Sequence, residues 1–91
     1  MIAQICDTAS IVPDVVRIEK CVVRKTGLQF LVDMHLEVDG DMTVVRAHEV
    51  AHRVKDHIRQ RLPIVSDVLI HIEPARRPEP PEHPDRSATA F

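Results

Sequence analysis

The stretch HEVAH, residues 48–52, sets two histidines four positions apart with a glutamate directly after the first. On a helix, positions i and i+4 share a face, so His48 and His52 could grip one zinc ion while Glu49 serves as general base. That is the chemistry of a zinc peptidase, but such an enzyme also needs a third ligand, a water-filled cleft and a strand to align substrate. A second group of donors lies elsewhere. His71 and Glu73 are spaced i, i+2, so on a strand both project from one face and can chelate one ion. His35 stands in another strand-like run. Two imidazoles with a carboxylate suit zinc and other late first-row metals.

The elements that must position these groups are read from periodicity. Residues 2–11 place Ile2, Ile5, Cys6 and Ala9 at helical spacing, and Pro13 follows as a stop. Residues 15–25 are rich in Val and Ile and read as a strand, although Glu19 and Lys20 interrupt its alternation and leave its facing open. KTG at 25–27 reads as a tight hairpin turn. In residues 28–38, Leu28, Phe30, Val32, Met34, Leu36 and Val38 alternate with Gln29, Leu31, Asp33, His35 and Glu37, a strand with one buried face and His35 on the other. After a turn at 39–41, Thr43 or Asp41 caps a helix that Pro63 ends near residue 62; its apolar stripe is Ala47, Ala51, Val54 and Ile58, widened by Val44 and Val50. A last strand, 67–73, buries Val68, Ile70 and Ile72 and turns Leu69, His71 and Glu73 the opposite way.

The order helix, strand, strand, helix, strand predicts an α+β fold: a hairpin followed by a right-handed crossover, giving a three-stranded mixed sheet with both helices on one face. The second and third strands become parallel neighbours, so His35, His71 and Glu73 share the face that the helices leave bare. Residues 1–74 form this one domain, and residues 75–91, with many prolines in a polar setting, are expected to be a flexible tail.

Composition narrows the function. Trp and Tyr are absent and Phe occurs 2 times, so the core rests on aliphatic residues and a subunit interface would strengthen it. Net charge is −2, with basic residues scattered among acidic ones and no aromatic platform, which argues against nucleic acid. The apolar runs are far too short to cross a bilayer, and the opening residues carry neither a basic segment nor a long apolar one, so neither membrane insertion nor secretion is expected. Cys6 and Cys21 are read as reduced thiols in a cytoplasmic setting rather than as a disulfide.

The stretch LQFLVDMHLEVDGDMTVVRAHEVAHRVKDHI, joined to VLIHIEP, resembles the cytoplasmic C-terminal domain of the cation diffusion facilitator transporters, and the likeness extends over roughly residues 1–74. The resemblance implies a metallochaperone-like, ferredoxin-like open sandwich that forms a homodimer and binds a divalent transition metal, zinc above others, to regulate a membrane transporter. Carried over position by position, it puts metal ligands at His35, His48, His71 and Glu73. Glu73 stands where many members carry aspartate, and Glu19 stands where some zinc-transporting members carry a further histidine, with Cys21 close by. Members of the family precede this domain with transmembrane helices that this sequence lacks, which leaves an excised domain and a stand-alone relative both open.

Each site has a plainer reading. His48 and His52 lie about 100° round the helix from Ala47 and Ala51, where a histidine ordinarily faces water. His52 extends the site only through its i, i+4 relation to His48. Glu49 is on the side of Arg46 and Arg53, where an ion pair explains it, so catalysis is not expected. His57 beside Asp56 is expected at the surface, and His83 falls in the tail. Cys6 is assigned to the core of the first helix, and Cys21 to packing or a spare soft ligand. Two functions follow: a metal-responsive regulatory dimer, or a metal-independent dimerisation module in which the histidines are incidental.

Overall fold

A computed structural model describes residues 1–75. Five elements run in the order α1 (Ile2–Ser10), β1 (Arg17–Thr26), β2 (Gln29–Val38), α2 (Val44–Arg61) and β3 (Val65–Pro74). The sheet order is β1-β2-β3, with β1 antiparallel to β2 and β3 parallel to it. This is the expected αββαβ open-faced sandwich. The core lies between the sheet and the two helices: Val32, Met34, Leu36 and Val38 of β2 and Val68 of β3 meet Ala47, Val50, Val54 and Ile58 of α2 and Ile5 and Ala9 of α1.

Local chemistry explains the boundaries. Gly27 and Leu28 form the two-residue loop between the paired Thr26 and Gln29, and Gly27 takes the left-handed backbone (φ +61°) that such a loop requires. Leu28 is therefore at the tip and 91% exposed, not on the buried face as its place in the alternation suggested. Thr43 is the cap of α2, its Oγ1 accepting from the Arg46 amide at 3.1 Å. The first turn of α2 stands clear of the sheet, so Val44 is exposed and does not widen the stripe. Ile2, at the start of α1, is likewise exposed.

The interrupted alternation of β1 has a structural cause. The register with β2 shifts between Ile18 and Lys20, leaving Glu19 as the extra residue of a bulge. Before it, Ile18 packs on the core; after it, Cys21 and Val23 do. A bulge bends the strand and re-aims side chains, and here it brings Glu19 toward His35 and Glu73.

Candidate metal centre

β2 is the central strand, and its outward side chains meet those of both neighbours. His35 is the register partner of Lys20 on β1 and of His71 on β3, while Glu37 is opposite Glu73. Period-two alternation keeps Asp33, His35, His71 and Glu73 on the face away from the helices. There the imidazoles of His35 and His71 stack, centroids 4.7 Å apart and planes at 21°. His35 Nδ1 lies 2.5 Å from Glu73 Oε2, and His71 Nε2 lies 3.1 Å from Asp33 Oδ1.

Two overlapping groups of donors result. Asp33, His35 and His71 each place a ligand atom within 4.8 Å of the others, and so do Glu19, His35 and Glu73. Both groups mix imidazole with carboxylate, a set that fits a divalent first-row cation after small side-chain rotations. His35 belongs to both, so two ions must either compete for it or divide its two ring nitrogens.

The electrostatics are those of crowded acids beside a cation-rich rim. The Glu19 carboxyl is held above the ordinary glutamate value by its hydrogen bond to Glu73, then by burial and by the like charges of Glu73 and Glu37, with His35 opposing. Glu37 is itself buried and is paired with Arg17, Nη2 to Oε2 at 2.9 Å. That pairing holds the Arg17 guanidinium above its ordinary value. Lys20 and Arg24 border the groove over Asp33, His35 and His71.

Among the residues singled out from the sequence, His35, His71, Glu73 and Glu19 are brought together. His48 is not brought to them within one chain. It lines a groove with His52, Ala51, Val68, Ile70 and Ile72, the residues with which β3 meets α2, and His71 and Glu73 alternate to the opposite side. Cys21 is on the core side, paired in register with Met34. Burial first, and then neighbouring Cys6, pushes its thiol up to about 11, so it is neither placed nor ionised to serve as a soft ligand at neutral pH. Both cysteines are free. Cys6 is only half-buried. His57 is also half-buried, its Nε2 sealed and without a hydrogen-bond partner among the described residues, in place of the surface position expected. His83 and the proline-rich segment expected to be a flexible tail lie outside the described residues, apart from Ala75, whose amide donates to Val38 O at 2.7 Å.

Asp33 is the ligand candidate that the sequence reading passed over. Its signal was present: it stands two residues before His35 on the same outward face.

The family model described as "Cation efflux protein, cytoplasmic domain" matches residues 1–75. The chain belongs to this family. Similar proteins include the manganese efflux system protein MneP of Bacillus subtilis, 33% identical over 58 residues. Metal tolerance protein C1 of Arabidopsis thaliana is 42% identical over 52 residues, and cation-efflux pump FieF of Salmonella newport 41% over 51 residues. These alignments take in 64%, 57% and 56% of this chain but only 20%, 11% and 17% of the relatives' own lengths. Among solved structures, a variant of the MamM C-terminal domain superposes with a TM-score of 0.79 at 23% identity, covering 81% of this chain and 90% of that one. Another form of the same domain gives 0.78 at 25%, covering 80% and 92%. The cation efflux cytoplasmic domain therefore has here the ferredoxin-like sandwich that the sequence resemblance implied. No helix among the described residues is long and apolar enough to cross a membrane.

Proposed function

We propose that this cation efflux domain is a metal-responsive homodimeric regulator, and that zinc is the ion it answers to. The observation that carries the reading is the position of His35, shared by two imidazole-carboxylate groups on the sheet face that neither α1 nor α2 covers. Glu19 and Glu73 crowd one another, and their hydrogen bond and like charges hold the Glu19 carboxyl above its ordinary value. A cation relieves that crowding and draws imidazoles and carboxylates inward. A subunit interface beside this face converts occupancy into a change of angle between subunits. Such an interface has material to work with, since Val22, Leu31 and Leu69 are exposed on the same face and the aliphatic core is small. His48, on the far side of β3, reaches the ion only from a partner subunit, where it completes or extends the coordination. Residues 1–74 are the unit that does this, attached to or acting on a transmembrane transporter.

Manganese is the second reading. Three carboxylates, Asp33, Glu19 and Glu73, make the groups oxygen-rich, which suits manganese, and the relative MneP is named for manganese efflux. Peptide hydrolysis is not proposed, because Glu49 Oε2 is turned to Arg46 Nη1 at 3.7 Å and HEVAH lies in an open groove. Calorimetric titration of the chain with zinc and with manganese tests the proposal. Saturable heat at micromolar metal is expected; silence with both would leave a dimerisation module that does not answer to metal on its sheet face.

A further inference from the structure

The two histidines of HEVAH have an arrangement of their own that the sheet-face cluster does not use. Their rings meet edge to face, centroids 4.5 Å apart and planes at 78°, and the two Nε2 atoms are 3.0 Å from each other. Both side chains are exposed on α2. Of the neighbouring charges, Glu49 faces Arg46 and Lys55 Nζ is held by Asp67 Oδ1 at 2.9 Å. A contact between the two Nε2 atoms requires one ring to donate N–H to the lone pair of the other. A cation can replace that shared proton. Two nitrogens each about 2.0–2.1 Å from one ion lie about 3 Å apart when they subtend a right angle, which is the spacing observed. Right-angle nitrogen ligation is the preference of tetragonal copper(II) and nickel(II), whereas manganese gains little from imidazole alone.

We infer that His48 and His52 form a second metal site, an all-imidazole clamp on α2 that takes a copper(II)-class ion and stands apart from the sheet-face cluster. Ile70 and Ile72 border the clamp, while His71 and Glu73 on the same strand point to the other face, so the strand itself separates the sites. The domain then carries two sites of different chemistry: a carboxylate-rich one open to zinc or manganese, and a nitrogen-only one that prefers copper(II) and nickel(II). The inference rests on the metal-binding reading only through His48, which the two sites have in common.

The test removes the sheet-face imidazoles so that the two readings fail separately. The full chain carrying His35→Ala and His71→Ala, both outside the core, is titrated with copper(II) chloride and followed by calorimetry and electron paramagnetic resonance. One copper per chain with coupling to two imidazole nitrogens is expected, with no response to manganese(II) chloride. Adding His52→Ala should weaken copper binding about a hundredfold, the low end of what a second ligand on the same scaffold adds, and remove one coupled nitrogen. A second comparison, His52→Ala in the otherwise unaltered chain, should lower copper stoichiometry by one per chain. Unchanged affinity and spectrum on losing His52, or no copper bound in the double variant, overturns the clamp. Loss of zinc and manganese binding in the parent chain would instead overturn the sheet-face reading and leave the clamp standing.

Discussion

His35 and His71 are register partners on parallel strands, and their stacked rings are held by different acids, His35 by Glu73 and His71 by Asp33. The division makes the two histidines unequal. His71→Ala dismantles only the group with Asp33, whereas His35→Ala removes the ligand common to both groups. Zinc calorimetry should therefore show residual binding in His71→Ala and almost none in His35→Ala. Equal losses would mean that the groups are not separate.

The acid pair gives a pH dependence with a definite sign. Because Glu19 holds its proton more tightly folded than unfolded, its contribution to stability is full below the ordinary glutamate value of about 4.3 and is lost as pH rises through the raised folded value. A cation must expel that proton, so over the same window metal affinity rises with pH. Glu19→Gln should flatten both trends, as read by urea midpoints and by titrations from about pH 4 to about 7. An unaltered slope in the variant would show that Glu19 is not the group that sets these trends.

If His48 joins the coordination from a partner subunit, its loss should affect closure more than anchoring. Small-angle scattering of His48→Ala should show less contraction on adding zinc than the parent, with zinc affinity only modestly reduced. The same contraction in both proteins would assign His48 to the α2 clamp alone.

The scaffold makes predictions independent of metal. Ile58 is fully buried between α2 and the sheet, and Ile58→Ala should cost about 2–5 kcal/mol in urea denaturation. Thr43→Ala removes the cap of α2 and should cost about 1 kcal/mol. A Thr43→Ala loss as large as that of Ile58→Ala would mean that the start of α2 bears more of the fold than its exposed first turn suggests.

Alternation alone revealed β2 and β3, because each has one face against the helices and a side chain's facing then follows from parity. The same rule places His35, His71 and Glu73 together. It failed where the backbone departs from regularity. Leu28 fits the pattern of β2 but falls in the hairpin loop, and Glu19 sits in a bulge whose re-aimed side chain no period-two reading can place. Asp33 was visible on the outward face, yet a carboxylate there is ordinarily solvated, and only the approach of His71 across the parallel register distinguishes it. The pairing of Cys21 with Met34 is equally a matter of register, set by the same bulge.

The central claim is that a divalent ion binds on the bare sheet face with His35 as the shared ligand. Crystals of the chain soaked in zinc and measured on both sides of the zinc absorption edge test it most directly. The account predicts an anomalous peak within bonding distance of His35, with Glu73 and Glu19 or His71 and Asp33 as co-ligands. A fully soaked crystal with no peak on that face, or with zinc only between His48 and His52, would contradict it.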